Sequence, residues 1–279
     1  MAYALLVFTT DFGLADAYAG VMKGVALTIN PDLRLIDLTH QVQPQNIAQG
    51  SFLLGINHSY FPQDAVHVAV VDPGVGTDRS PVLLSTPWGR FVAPDNGLLS
   101  GVIAVYLSSM PAAASSVTLP PGLTAVHLTN PKYWRHPVSD TFQGRDIFTP
   151  VAAHLTLGVP PGDMGKAIDS LYYLPMHQPR HKDGKITGQV VYRDVYGNLV
   201  TNILAKALPA GAPMEVRIKG RSIFGIRRTF NDDPHSGDGG LIALTGSHGY
   251  LEVAVPNGNA AVLLEAGEGE AVEVVALSS

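Results

Sequence analysis

Short apolar, β-branched runs alternate with helically spaced segments through the first half of this chain, and that alternation limits what it can fold into. LLVFTT (5–10), LRLIDLTH (33–40) and AVHVAVVD (65–72) have the length and composition of strands. Between them, DAYAGVMKGVALTIN (16–30) and NIAQGSFLLGINHSYF (46–61) place apolar residues at helical spacing. Strands joined through helices are βαβ units, which predicts an α/β domain with a mostly parallel sheet. VLLSTPWGRFVAPDNGLL (82–99) reads as two strands around a Trp-Gly turn followed by a helix starting near Gly97, and RDIFTPVAAHLTLG (145–158) reads as a further helix.

The texture changes after the polar stretch HQPRHKDGK (177–185), which reads as a linker. ITGQVVYRDVYGNLVTNI, MEVRIKG, RSIFGIRRTF, LIALTG, YLEVAVPN and AVEVVAL are short strand-like segments divided by Gly and Asn turns. They predict a smaller all-β domain, a barrel or a sandwich. The expected division is therefore an α/β domain over 1–178 and a β domain over 184–279. DPHSGDGG (233–240) reads as a mobile loop, and no internal repeat or low-complexity tract interrupts the pattern.

Composition narrows the class of partner. A chain of 279 residues that is 46% hydrophobic can bury a substantial core, while its formal charge of −5 argues against nucleic acid or an anionic membrane as main partner. No apolar run approaches the ~18 residues of a membrane span. MAYALLVFTTDFG has no basic leader or cleavage site and reads as a first strand. With no cysteine, disulfides and thiolate metal sites are excluded. The expectation is a soluble, cytoplasmic, globular protein without a metal.

Common cofactor and nucleophile signatures are absent: there is no GxGxxG after the first strand, no P-loop, no HExxH and no GxSxG. What remains are polar residues at the carboxyl ends of the expected parallel strands, where open α/β sheets bind ligands. Asp11, with Asp16 one turn on, could accept hydrogen bonds from a ribose diol, or serve as a turn and helix-cap residue. In VVDPGVGTDR, Asp72 and Arg79 could hold a water and keep the carboxylate ionised, or form an Asp-Pro-Gly turn beside a solvated arginine. Asp194, Tyr196 and Asn198 cluster in DVYGNLVTNI, where Asp and Asn are also ordinary turn formers.

Taken in order, TTDFGLADAYAGVMKG, VVDPGVGTDR, APDNGLL, TFQGRDIFTPVAAHL, YGNLVTNI and GYLEVAVPNGNAA resemble one family across nearly the whole chain. It is the S-adenosyl-L-methionine hydroxide adenosyltransferases, relatives of the fluorinase and chlorinase enzymes. The resemblance implies attack of activated water on C5′ of the S-adenosylmethionine ribose, with methionine leaving and adenosine formed. S-adenosylmethionine is then the substrate and no cofactor is needed. It also implies a homotrimer with active sites between subunits. Asp11 would hold the ribose hydroxyls, with Asp16 near the methionine amino group. Asp72 and Arg79 match two members of a water-activating Asp–Arg–His triad. Asp194 and Asn198 would take the methionine and ribose side, and Tyr196 and Phe230 would stack on or wall in adenine. Ser247, His248 and the backbone near Val255 and Asn257 would complete the contacts.

Gln143, between the expected substrate contacts Phe142 and Gly144, is the departure. The family resemblance places the triad histidine there. Glutamine keeps one acceptor and two donors, enough to orient water but not to take its proton. Two alternatives stay open: a halide-using relative, and a non-catalytic binder of S-adenosylmethionine or adenosine. Asp72 speaks against halide, because the halogenating relatives carry tyrosine there and a carboxylate ~4 Å from chloride repels it by several kcal/mol.

Overall fold

In the computed structural model, which describes residues 4–209, 213–230 and 240–277, strand β1 (Leu5–Thr10) is buried on both faces, with Leu6, Val7 and Phe8 entirely inaccessible. Such burial suits a central strand of a sheet covered by helices on both sides. β1 pairs in parallel with β2 (Arg34–Thr39) and β3 (Val66–Val70). The intervening helices are α1 (Tyr18–Ile29) and α2 (Ile47–Asn57); Asn46 caps α2 by accepting from the Gln49 N–H at 3.0 Å.

The sheet continues through β4 (Pro81–Thr86) and β5 (Gly89–Pro94), which turn back on each other at Pro87-Trp88. After the single-turn helix α3 (Ser100–Ile103) come β6 (Ser115–Thr118), β7 (Thr124–His127), α4 (Thr149–Thr156), β8 (Lys166–Ile168) and β9 (Ser170–Tyr173). The seven-stranded order is β2-β1-β3-β5-β4-β7-β8, and β6 pairs with β9 separately. β1, β2, β3, β5 and β7 point one way and β4 and β8 the other, so the sheet is mixed but mostly parallel. On one face Met22 and Ala26 of α1 and Val151, Ala152 and Leu155 of α4 pack on Leu6, Phe8, Val66 and Val68. On the other, Leu54 of α2 and Val102 and Ile103 of α3 pack on Ala69, Leu84 and Phe91.

One helix expected over 145–158 is in fact two pieces. Gly144–Phe148 forms a wider π-helical turn, closed by the Thr149 N–H donating to the Gly144 carbonyl, before α4 begins. Pro150 has no N–H to give the Asp146 carbonyl, which instead accepts from the Arg135 N–H at 2.8 Å.

The chain divides into two units, Met1–Pro175 and Met176–Ser279. The second contains β10 (Arg180–Lys182), β11 (Lys185–Arg193), β12 (Leu199–Leu204), β13 (Met214–Ile218), β14 (Arg221–Phe224), β15 (Ile242–Thr245), β16 (Tyr250–Ala254), α5 (Ala260–Leu264) and β17 (Ala271–Ala276). They form one antiparallel eight-stranded sheet, β14-β13-β17-β11-β12-β16-β15 with β10 beside β11. A bridge from Arg227 to Leu244 links the segment after β14 to β15, which nearly closes the sheet into a barrel.

The stretch 177–185 is more than a linker. Its middle three residues are β10, hairpinned onto β11 through Asp183 (φ 50°) and Gly184 (φ 72°). Two consecutive left-handed residues are what an Asp-Gly hairpin turn supplies. The expectation of a loop over 233–240 falls, apart from Gly240, outside the described residues.

Candidate active site

Thr10 of β1 lies opposite Val70 of β3 in parallel register, so the two strands release their following loops side by side. Those loops and the turn ahead of α4 wall a cavity of about 410 Å³ in the first unit. Of the expected residues, Asp11, Asp72, Phe142, Gln143 and Gly144 line it. Asp16 does not; it is exposed on the approach to α1.

Asp72 and Arg79 meet through a fork. Arg79 Nε donates to Asp72 Oδ1 at 2.9 Å, and Nη2 donates to Oδ2. The turn between them is tightened by Thr77, whose N–H and Oγ1 both donate to the Gly74 carbonyl. Gly76 sits at φ 78°, and a Cβ there would come within 2.7 Å of the Asp140 carbonyl. Glycine therefore lets this loop press against the segment that carries Gln143. The Arg79 guanidinium also lies 5.5 Å from the centre of the Phe148 ring.

Gln143 stands at the head of the π turn, and its Oε1 is buried with no hydrogen-bond partner. A buried amide oxygen without a donor carries a desolvation cost, which a bound water or ligand can relieve. The segment before it is anchored by Asp146, which is wholly buried. Asp146 accepts from Arg145 Nε at 2.7 Å, Arg145 Nη2 at 2.8 Å, the Ser139 N–H at 2.9 Å and Arg135 Nη1 at 3.2 Å. Burial works to raise the Asp146 carboxyl, but its bonds to Arg145, Ser139 and Arg135 outweigh it and hold the group below the usual range.

Phe12, Tyr18 and Phe142 form an aromatic wall with ring centres 5.1–5.9 Å apart. Neither Phe12 nor Tyr18 is singled out by sequence pattern, although Tyr18 starts a helix at 48% exposure. Gln45 was missed too. Its N–H donates to Asp11 Oδ2 at 2.8 Å from a backbone at φ 66°, a conformation that periodicity does not signal.

The second unit holds its own cavity, of about 780 Å³. Asp194, Tyr196, Asn198, Phe230, Ser247, Val255 and Asn257 all line it. Asp194 organises the first turn: Oδ1 accepts the Tyr196 and Asn198 N–H groups at 3.0 and 2.8 Å, and Oδ2 accepts Asn198 Nδ2 at 2.8 Å. Tyr196 is 73% exposed and Phe230 42%, so both present aromatic surface outward. His248 does not line the cavity but sets its Nε2 2.6 Å from Oε1 of Glu252, which does. Glu252, Arg228 and Thr229 are lining residues that sequence reading missed. A carboxylate inside the apolar strand YLEVAV was a legible signal for Glu252.

Known proteins share the sequence pattern and the fold of this chain. The sequence pattern of the SAM hydroxide adenosyltransferase N-terminal domain matches residues 6–165, and that of the C-terminal domain matches residues 188–273. The chain belongs to the SAM hydroxide adenosyltransferase family. A protein of Salinispora arenicola named (R)-S-adenosyl-L-methionine hydrolase is 40% identical over 96% of this chain and 97% of its own. One of Thermus thermophilus with the same name is 37% identical over 96% and 98%. A protein of Nocardia brasiliensis named fluorinase is more distant, at 24% over 90% and 89%. A solved structure of an uncharacterised conserved protein from Thermotoga maritima superposes with a TM-score of 0.85 at 33% identity, covering 97% of this chain and 99% of that one.

As a member of this enzyme family, the chain presents carboxylates, an arginine fork and aromatic walls. Among the described residues no cluster of His, Asp or Glu has the make-up of a metal site, and no helix is long and apolar enough to cross a membrane.

Proposed function

We propose that this protein is an S-adenosyl-L-methionine hydrolase that attacks ribose C5′ with water and releases adenosine and L-methionine. The observation that carries this is Asp72, held by Arg79 from behind the wall of a cavity that Asp11 and Gln143, with its unpartnered oxygen, also line. The names of the Salinispora and Thermus relatives support the same substrate. In the reaction the water oxygen bonds to C5′ as the C5′–S bond breaks, and the electron pair leaves on sulfur as a neutral thioether. The leaving group needs no acid, so what the protein must supply is alignment of a weak nucleophile and an acceptor for its proton. Asp72 is that acceptor, Arg79 fixes its orientation, and Gln143 Oε1 holds the water from the other side.

Asp11 takes the ribose hydroxyls, with Phe142 and Gly144 bounding the substrate and Asp16 toward the methionine amino group. The second unit supplies the adenine and methionine contacts: Tyr196 and Phe230 stack on the base, and Asp194, Asn198, Ser247, His248, Val255 and Asn257 complete the pocket. The domain roles, over 1–178 and 184–279, follow that division. The working assembly is a homotrimer in the cytoplasm, each site combining the first unit of one subunit with the second of its neighbour. Sedimentation at assay concentration tests this; a fully active monomer refutes it.

A second possibility rests on Gln143 alone: without the family histidine, the chain binds S-adenosylmethionine but does not turn it over. Isothermal titration beside adenosine quantification separates the two. Binding without product leaves only the second.

A further inference from the structure

His40 grips the β1–α1 loop on both sides of Asp11. Its Nδ1 lies 2.7 Å from Thr10 Oγ1, and its backbone carbonyl accepts the Gly13 N–H at 2.7 Å. Thr10 Oγ1 in turn accepts the Phe12 N–H at 3.2 Å, and the Thr10 carbonyl accepts the Val42 N–H at 3.3 Å. On the far side of the ring, His40 Nε2 stands 3.0 Å from Asp37 Oδ1, and Asp37 Oδ2 accepts from Lys23 Nζ on α1 at 2.6 Å. His40 and Thr10 are both buried, at 3% and 0% exposure. The Asp37 carboxylate beside Nε2 favours the tautomer with its hydrogen on that nitrogen, which leaves Nδ1 to accept from Thr10 Oγ1.

His40 and Thr10 are buried and line neither cavity, and the chain ends at the exposed Asp37 carboxylate, so these groups do not act on substrate. Neither His40 nor Thr10 lines the 410 Å³ cavity, whereas the two residues that Thr10 precedes, Asp11 and Phe12, both do. We infer that His40 is a positioning residue: through Thr10 and Gly13 it holds the loop so that Asp11, already tied at Oδ2 by the Gln45 N–H, presents its remaining acceptor capacity to the ribose diol. The relay reaches α1 through Asp37 and Lys23, so the ribose ligand is set by three elements packed together and not by the loop's own rigidity. This rests on the assignment of the ribose diol to Asp11.

The test compares kcat/KM for S-adenosylmethionine with that for its 2′-deoxyribose analogue. Wild type should prefer the ribose by on the order of 10² or more, because the Asp11 carboxylate loses its partner when the hydroxyl is missing. Thr10→Val and His40→Gln should each reduce that ratio about tenfold or more. His40→Asn, whose amide can occupy the Nδ1 position, should keep the ratio within about threefold. Thermal unfolding checks that each variant is folded at the assay temperature, and the Asn and Gln pair decides if Thr10→Val is not. A merely structural histidine would lower the rate on both substrates alike, so variants that retain the wild-type ratio overturn the inference. A wild type that does not distinguish ribose from deoxyribose removes Asp11 as the diol ligand, and the positioning role with it.

Discussion

Arg79 faces Asp72 edge to edge, Nε to Oδ1 at 2.9 Å with Nη2 on Oδ2, and the two side chains are only 9% and 5% exposed. The fork takes one lone pair from each carboxylate oxygen and leaves the others to receive a proton or hold a water. Removing the acceptor while keeping its shape is the direct perturbation. Asp72→Asn should lower adenosine formation by ~10²–10⁴-fold with little change in substrate affinity. Arg79→Lys keeps the charge but loses the planar fork, and should cost about tenfold or more in kcat. Steady-state adenosine formation with binding measured separately reads both; unchanged turnover in Asp72→Asn would mean that another group takes the proton.

Gln143 lies where the family histidine is expected, with its oxygen buried and unpartnered. Gln143→His restores a group that can accept a proton near neutral pH. The rate should rise toward the low end of the ~10²–10⁴-fold range of general-base effects, since Asp72 already carries part of that work. The pH profile should gain a titration at roughly 6–7. A rate that is flat at every pH would show that Asp72 and Arg79 suffice; a fall would show a site built around the glutamine.

Much of this geometry was legible in the order of residues, and what was not has a physical reason. Asp11 and Asp72 could be placed because strand-ending carboxylates follow apolar runs whose ends are easy to find. The mixed edge of the sheet and the separate β6–β9 pair were less visible: β6, β7, β8 and β9 are three- and four-residue strands without a full period of alternation. The π turn depends on Pro150 and on where a carbonyl finds its donor, which is long-range information. Gln45, Phe12 and Tyr18 join the site through backbone geometry and ring packing, neither of which leaves a spacing pattern.

Halide should not replace water. Asp72 puts a carboxylate on the cavity wall, and its charge alone repels a chloride ~4 Å away by about 4 kcal/mol at a protein-like dielectric. The paired Arg79 guanidinium reduces that repulsion without replacing the carboxylate as the wall's nearest group. Incubation with molar chloride or fluoride should yield no 5′-halogenated adenosine by mass spectrometry; its detection would overturn the electrostatic argument.

Acid stability should depend on His67. Its ring is completely buried, stacked on Phe91 at 4.7 Å and 13°, edge-on to Phe61, and neither nitrogen has a partner. Burial, and secondarily the neighbouring His58, push its pKa down to about 3. The folded pKa lies below the unfolded value of about 6.5, so this stabilisation is fully present above pH 6.5 and is lost as pH falls toward 3. At about 1.4 kcal/mol per pH unit, the window is worth on the order of 5 kcal/mol. His67→Phe should flatten the pH dependence of denaturant unfolding across that range; an unchanged slope would show that the histidine charges without cost.

The most direct test of the proposed reaction is to incubate the protein with S-adenosylmethionine in ¹⁸O-labelled water and follow the label by mass spectrometry. Attack at C5′ predicts adenosine and methionine in equal amounts, with one ¹⁸O in the 5′-hydroxyl of each adenosine. Unlabelled adenosine, or tight binding with no adenosine at all, would contradict it.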